Sequence, residues 1–327
     1  MNVRDELAQE AATLYYLRNE KMESIATQLG VSRSTVSRLL SYAREIGLVR
    51  ISVTAPPRSL DTLGQQFEEY FGIPTQVVPV GAADTDLNRL QNVAAVAAEA
   101  LVSRLFPGAT LGIAWGNTTS AIASNIPRVD LPGLTVVQLN GASNATESGL
   151  PYAEAIITQA AQALGAKMMN FPVPAFFDYA STKEAMWRER SVQQVLATID
   201  SCDVALFGIG SMDGALPSHV YSGGFLEATE LAAARNDGVV GDVCTVLLRE
   251  DGSTDMELNR RASGPTPKQL QKIPTRIGAV AGDAKALPLL AALRAQTMTH
   301  LVLDSSLARV ALDLLRQEKH PRRRVAR

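Results

Sequence analysis

A run of hydroxyl and guanidinium side chains lies near the amino end of this 327-residue chain. It falls within residues 22–41, MESIATQLGVSRSTVSRLLS, which read as two short helices joined by a turn, with Ala26 in the first helix and Gly30 in the turn. Helices that cross steeply over a short turn need a small side chain at the crossing and a glycine where the backbone takes positive φ. The second helix is capped by Ser32 and carries no acidic residue on its outward face. The residues predicted to contact DNA are Ser32, Arg33, Ser34, Thr35, Ser37 and Arg38.

Charge supports DNA binding only locally. The chain has 31 Lys and Arg against 33 Asp and Glu, but residues 31–50 carry four arginines and one glutamate, the local basicity that phosphates require. Residues 48–54, LVRISVT, alternate like a strand and are expected to form the wing of a winged helix. A helical hairpin that only packs is the alternative interpretation. Within the motif, residues 32–38 are favoured over Arg44 and Arg50, because recognition helices read bases from their amino-terminal turns.

A second set of residues could bind an anion. The segment LGIAWGNTTSAIASNI reads as a strand, the loop Gly116–Ser120 and a helix. Free backbone N–H groups and hydroxyl groups at a helix start suit a phosphate, although an ordinary cap by Thr118 or Thr119 is the alternative. Neither dinucleotide-binding nor P-loop fingerprints occur, so no cofactor is predicted. A second loop, Phe207–Met212, follows another apolar run and is expected at the same edge of the sheet.

Groups for catalysis and metal binding are sparse. The histidines His219, His300 and His320 are scattered along the chain, which argues against a metal centre or a Ser-His-Asp set. Cys202 and Cys244 lie in apolar runs, as buried thiols do in a reducing compartment. With no secretion signal and no long apolar stretch, we expect a cytoplasmic protein without catalytic residues, bound metal or membrane contact.

The elements that position these residues divide the chain into three parts. Residues 1–55 are predicted to form a helix-turn-helix domain, and residues 319–327 a basic, disordered tail. Residues 56–318 alternate short apolar runs with helical stretches, which is typical of β-α units in a parallel sheet. The predicted fold class is therefore α/β, with a winged helix-turn-helix domain and a larger effector domain that also mediates oligomerisation.

Five segments, taken in order, resemble the SorC family of sugar-responsive bacterial transcriptional regulators. They are IATQLGVSRSTVSRLLSYAREIGLVRISV, WGNTTSAIA, GIGSM, VVGDVCTVLLREDGS and GAVAGDAKALPLLAALRAQTMTHLVLDSSLA. The resemblance implies an effector domain with the fold of glucosamine-phosphate deaminase and ribose-phosphate isomerase. It also implies a phosphate-binding loop at Gly116, Thr118 and Thr119, an acidic contact at Asp242 and a basic contact at Lys285. This chain departs from the family at Asp283, where a glycine is usual, so the effector can be a sugar phosphate or a neutral sugar or polyol. The predicted effector-binding residues are Gly116, Asn117, Thr118, Thr119, Ser120, Gly210, Asp242 and Lys285.

The function predicted from these features is a DNA-binding regulator of a carbohydrate-use operon. Its partners would be operator DNA, a small sugar-type effector and further copies of the same chain, in a dimer or tetramer. An alternative is a sugar-phosphate isomerase or deaminase with a DNA-binding appendage, but residues 210–215 lack the histidine that similar deaminases carry after a comparable glycine. A third possibility is a constitutive DNA-binding protein whose large domain only oligomerises.

Overall fold

The computed structural model describes residues 3–49, 57–81, 83–144, 149–214 and 218–319. The chain divides into two compact units, Met1–Thr54 and Ala55–Arg327. Two predicted features lie largely outside the described residues. The first is the expected wing strand: residues 50–54 lie outside the described residues, and Leu48 and Val49, which are described, are not in a strand. Of the basic tail, only Lys319 is described, as the last residue of the final helix.

The amino-terminal unit contains α1 (Val3–Ala12), a π-helical turn at Thr13–Leu17, and the two predicted helices of the motif, α2 (Met22–Gln28) and α3 (Arg33–Glu45). Gly30 takes a φ of 63° in the turn between α2 and α3, as expected for a residue that leaves a helix through positive φ. Ser32 caps α3, its Oγ accepting from the Thr35 N–H at 3.1 Å. The three helices enclose a small apolar core, which includes Ala8, Ala11, Leu14, Ile25, Val36, Leu39, Leu40 and Ala43.

The larger unit alternates strands and helices. Its strands are β1 (Thr75–Val78), β2 (Thr110–Ile113), β3 (Thr135–Gln138), β4 (Lys167–Met169), β5 (Val204–Gly208), β6 (Gly210–Ser211), β7 (Val239–Val243), β8 (Val246–Arg249), β9 (Thr275–Val280) and β10 (His300–Asp304). Its helices are α4 (Pro57–Phe71), α5 (Asp86–Val102), α6 (Asn117–Asn125), α7 (Gly149–Leu164), α8 (Ala180–Met186), α9 (Arg190–Asp200), α10 (His219–Ser222), α11 (Ala228–Asn236), α12 (Glu257–Arg261), α13 (Pro267–Leu270), α14 (Ala286–Arg294) and α15 (Ser305–Lys319). A 3₁₀ turn, Asp283–Lys285, precedes α14.

Seven strands form a parallel sheet in the order β1-β10-β9-β5-β2-β3-β4. Both faces of this sheet are buried. Along β5, Val204 and Leu206 belong to the apolar cluster that includes α5, α6 and α7, whereas Ala205 and Phe207 belong to the cluster on the other face, with α9, α14 and α15. Alternate side chains of a strand point to opposite faces, so the sheet is covered by helices on both sides. The predicted α/β class with a parallel sheet is confirmed.

The order of the strands reverses between β2 and β5. From β2 the chain proceeds through β3 to β4 at one edge, and from β5 it proceeds through β9 to β10 in the other direction. Open α/β sheets bind ligands at the carboxyl ends of the strands beside such a reversal. A small antiparallel sheet, β6-β7-β8, follows β5 in the chain and was not anticipated from the sequence.

Candidate functional site

The loop after β2 leads directly into α6, with Gly116 at the position before the helix. Thr119 Oγ1 donates to the Gly116 carbonyl at 3.0 Å, and the Ser120 N–H donates to the same oxygen at 2.8 Å. Both residues therefore hold the first turn of α6. Thr118 is also buried, but it lies beside a cleft at the carboxyl edge of the sheet.

This cleft lies between the two central strands and the small antiparallel sheet, and the empty space in and above it, open solvent included, is about 470 Å³. Six of the eight predicted effector-binding residues line it. They are Gly116, Asn117, Thr118, Gly210, Asp242 and Lys285. Thr119 and Ser120 are not among its lining residues. These six residues come from two loops and two further segments. The first and last of them, Gly116 and Lys285, are separated by more than 160 residues in the sequence.

Asp242 is the buried carboxylate of the cleft, with 4% of its surface exposed. Its Oδ2 accepts from the Thr245 N–H at 3.2 Å, whereas Oδ1 is buried without a well-aligned hydrogen-bond donor among the described residues. Burial raises the pKa of Asp242 to about 6, although the Tyr221 hydroxyl, the Thr245 N–H and the charge of Lys285 act in the opposite direction. A Cβ on Gly210 would overlap Asp242 Oδ1, so this pairing of β6 with β7 requires a glycine.

A strained turn holds this carboxylate in place. Cys244 and Thr245 join β7 to β8 with φ values of 51° and 68°. Two successive residues with positive φ are typical of tight hairpins, but such positions favour Asn and Gly, and a β-branched threonine there is strained. Both strained residues line the cleft. The turn that they form places the Thr245 N–H within hydrogen-bond distance of Asp242.

Lys285 lies at the junction of this cleft with a second cavity of about 440 Å³, which it lines together with Asp86 and Asp213. Asn117 and Thr118 also line both cavities, so these two residues and Lys285 form a neck between them. The Lys285 backbone N–H donates to the Gly282 carbonyl at 3.0 Å, but its side-chain ammonium forms no hydrogen bond or ion pair with any described residue. Burial lowers the pKa of Lys285, while the carboxylates of Asp242 and Asp86 act to raise it.

Asp283, which stands where the resemblance noted in the sequence predicts a glycine, does not line either cavity. Its carboxylate accepts from Arg89 at 3.1 Å and from Ser306 Oγ at 3.1 Å. Asp283 therefore forms a partly buried ion pair between α5 and the 3₁₀ turn. It does not place a carboxylate beside Lys285.

Several lining residues were missed from the sequence, notably Trp115, Asn140 and His219. Trp115 stacks on Phe225 with ring centroids 4.8 Å apart and donates from Nε1 to the Gly141 carbonyl at 2.8 Å. The His219 ring lies 6.0 Å from Trp115, so this histidine is part of the cleft although it looks isolated in the sequence. Burial lowers the pKa of His219, which favours the neutral imidazole. Its position right after Ser218, close to the second glycine loop, is the signal that could have indicated it.

Within the described part of the chain, no group of three or more His, Cys, Asp or Glu side chains is arranged to hold a metal ion. No helix in that part is both long and apolar enough to cross a lipid bilayer.

Comparison with known proteins identifies the family. Residues 56–313 match the family model described as "Putative sugar-binding domain". The deoxyribonucleoside regulator of Bacillus subtilis is 29% identical over 95% of this chain and 98% of that protein.

Two solved structures extend the similarity. A domain of a possible sugar-binding transcriptional regulator from Arthrobacter aurescens is 41% identical, with a TM-score of 0.73 over 79% of this chain and 99% of that one. The full-length sorbitol operon regulator SorC from Klebsiella pneumoniae is 25% identical, also with a TM-score of 0.73, over 94% of this chain and 98% of that one. The chain belongs to the SorC family of sugar-binding transcriptional regulators.

Proposed function

We propose that this protein binds the operator of a carbohydrate-use operon through α2 and α3, and that a sugar phosphate in the cleft controls this binding. The relatives are transcriptional regulators, one of deoxyribonucleoside and another of sorbitol genes, which supports a regulator rather than an enzyme. A regulator that meets its operator in a bacterium works in the cytoplasm. In this proposal the cleft binds its ligand without transforming it.

The observation that carries the effector assignment is the unpaired Lys285 ammonium at the neck of the cleft. Thr118 lies across the neck, and the amino-terminal turn of α6 supplies free N–H groups near the positive end of the helix dipole. A cation, a hydroxyl group and N–H donors at one point suit a phosphate group. The sugar portion then extends toward Asp242, whose free oxygen accepts from a hydroxyl group.

The proposed DNA-contacting face lies on α3. Ser32, Arg33, Ser34, Ser37 and Arg38 are exposed, and Thr35 is half-buried. The face is less free of negative charge than the sequence of α3 suggests, because Glu23 of α2 reaches Arg33 at 3.2 Å. Both side chains are largely exposed, so this ion pair is weak and DNA phosphates can compete for Arg33.

A homo-oligomer completes the proposed mechanism. The winged form of the helix-turn-helix and the resemblance of the effector domain to the glucosamine-phosphate deaminase and ribose-phosphate isomerase fold belong to the same proposal. In a two-fold dimer, the two α3 helices enter successive major grooves about 34 Å apart. A ligand that binds one arrangement of the dimer more tightly shifts the population toward it and so changes operator affinity.

The test is a fluorescence anisotropy titration of DNA from upstream of the gene encoding this protein, at fixed salt, against sugars and their phosphate esters. We expect sequence-specific binding whose affinity changes with one or a few sugar phosphates. Equal affinity for operator and unrelated DNA would contradict the proposal that this protein is a sequence-specific regulator. An effect of the free sugar equal to that of its phosphate would overturn the phosphate assignment alone.

A further inference from the structure

Three polar atoms that line the cleft are buried without a hydrogen-bond partner among the described residues. They are Asn140 Oδ1, His219 Nε2 and Asp242 Oδ1. Asn140 is 1% exposed and follows β3, His219 begins α10, and Asp242 lies on β7. Residues from three separate elements thus place unpaired polar atoms in one cleft.

Such atoms are costly. A buried polar atom without a partner destabilises a folded protein by about 1–3 kcal/mol, and most native structures contain few of them. Neighbouring polar groups show the usual arrangement. Gln138, two residues before Asn140, is equally buried, but its Nε2 donates to the Asn140 carbonyl at 2.7 Å and its Oε1 accepts from the Phe171 N–H at 3.3 Å. Among the described residues, five buried side-chain atoms have no hydrogen-bond partner; three of them line the cleft, whereas Asn170 Oδ1 and the Tyr221 hydroxyl do not.

The chemistry of these atoms defines what would pair with them. An amide oxygen and a carboxylate oxygen accept hydrogen bonds, and a neutral imidazole accepts at its unprotonated nitrogen. The lowered pKa of His219 keeps that ring neutral. A hydroxyl group can both donate and accept, so adjacent hydroxyl groups of a sugar can donate to the Asn140 and Asp242 oxygens and pair with His219 Nε2 in either tautomer.

We propose that Asn140 and His219, together with Asp242, select an effector by its adjacent free hydroxyl groups. This inference rests on the proposed function, because it assumes that the ligand enters this cleft with its phosphate at the neck. Asn140 and His219 lie on the Asp242 side of the neck and do not line the second cavity. Their role is thus recognition of the sugar, separate from the anchoring of the phosphate by Thr118 and Lys285.

The binding test compares sugar phosphates that differ by one hydroxyl group. Calorimetry is run with ribose 5-phosphate and 2-deoxyribose 5-phosphate, glucose 6-phosphate and 2-deoxyglucose 6-phosphate, and inorganic phosphate. We expect wild type to bind the fully hydroxylated member of at least one pair tenfold or more tightly, since a site with unpaired acceptors rejects the ligand that lacks the donor. Asn140→Leu or His219→Phe should reduce that ratio below threefold and leave inorganic phosphate unchanged.

The outcomes separate the two proposals. If the protein binds the sugar phosphates but does not distinguish the members of either pair, or if both variants keep the wild-type ratio, hydroxyl selection is wrong and the regulator with its phosphate site stands. If neither a sugar phosphate nor inorganic phosphate binds, the proposed phosphate site is wrong, and hydroxyl selection in the same cleft is wrong as well.

A stability measurement gives a second readout that needs no ligand. Asn140→Leu removes an unpaired buried atom, so the melting temperature of the ligand-free protein should stay equal or rise. The matched control is Gln138→Met, which removes a buried amide with both partners present and should lower the melting temperature by a few degrees. An equal fall in both variants would show that Asn140 has a structural role and would overturn its assignment to ligand recognition.

Discussion

At Gly210 the absence of a side chain allows the Asp242 carboxylate to lie beside the cleft. We predict that Gly210→Ala displaces this carboxylate, weakens effector binding more than tenfold and destabilises the fold by about 1–3 kcal/mol. Calorimetry and urea unfolding measure the two effects. Gly81→Ala is the control, because a Cβ there meets only Asp84 at ordinary contact distance. Wild-type effector affinity in Gly210→Ala would contradict the placement of Asp242 in the site.

Asp242 also predicts a pH dependence. Its pKa of about 6 lies above the value of 3.8 for an unperturbed carboxyl, because burial disfavours the charged form. The stabilising effect of a raised pKa is fully present below pH 3.8 and is lost as the pH rises through 6. Relative to Asp242→Asn, wild type should therefore lose about 2–3 kcal/mol of unfolding free energy over this interval. Urea unfolding of both proteins from pH 4 to 7.5 tests this, and a constant difference would refute it.

Glu23 is the acidic side chain that meets the proposed DNA-contacting face. Glu23→Gln frees Arg33 and removes a charge that repels phosphates, so operator affinity should rise about two- to fivefold, the scale of an exposed ion pair. Anisotropy at fixed salt measures the change. Glu10→Gln, on the exposed surface of α1, is the control for net charge. If both variants bind DNA equally, Arg33 does not contact phosphate through this face.

Sequence reasoning located the residues of the cleft that belong to motifs, and it missed those that do not. Gly116, Asn117 and Thr118 stand out because a glycine and hydroxyl residues open a helix after a strand. Asn140 carries no such pattern, and the only local signal for His219 is its closeness to the second glycine loop, so their place in the site depends on which strands lie side by side. That information resides in the sheet order, where β3 neighbours β2 and β2 neighbours β5.

At the scale of elements, alternating apolar runs and helical stretches were sufficient to predict the parallel sheet. Its central strands β2, β5 and β9 are largely buried on both faces, which leaves a strong pattern in the sequence, whereas the edge strand β4 is mostly exposed. The small sheet β6-β7-β8 escaped prediction because β6 has only two residues, Gly210 and Ser211. The turn at Cys244 and Thr245 escaped as well, since neither residue favours the positive φ that it adopts there.

The first turn of α6 separates two threonines that look equivalent in the sequence. Thr118 lines the cleft, whereas the Thr119 hydroxyl donates to the Gly116 carbonyl. We predict that Thr118→Val lowers sugar-phosphate affinity tenfold or more with little change in stability. Thr119→Val should cost about 1 kcal/mol of unfolding free energy, from its lost hydrogen bond, and affect affinity less. Calorimetry and urea unfolding of both variants distinguish them, and the reverse ranking of affinities would show that Thr119 contacts the ligand.

At the scale of the whole molecule, the cleft and α3 belong to different compact units, so their coupling is a matter of linked equilibria. If the effector changes operator affinity by some factor, the operator must change effector affinity by the same factor. Both factors are measurable on one protein, by anisotropy with saturating effector and by calorimetry with and without operator DNA. This reciprocity does not depend on whether the effector favours or opposes DNA binding.

A substitution at Lys285 tests this coupling from the effector site. Lys285→Met removes the cation at the neck, so we predict a loss of sugar-phosphate affinity of tenfold or more, and with it the response of DNA binding at effector concentrations that saturate wild type. Operator affinity without effector should stay within about twofold of wild type, because the substitution lies in the other unit and acts only through linkage. Lys268→Ala, at an exposed lysine of α13, is the control for loss of a positive charge. A Lys285→Met protein that responds to the same sugar phosphate at wild-type concentrations would show that this lysine does not bind the phosphate group.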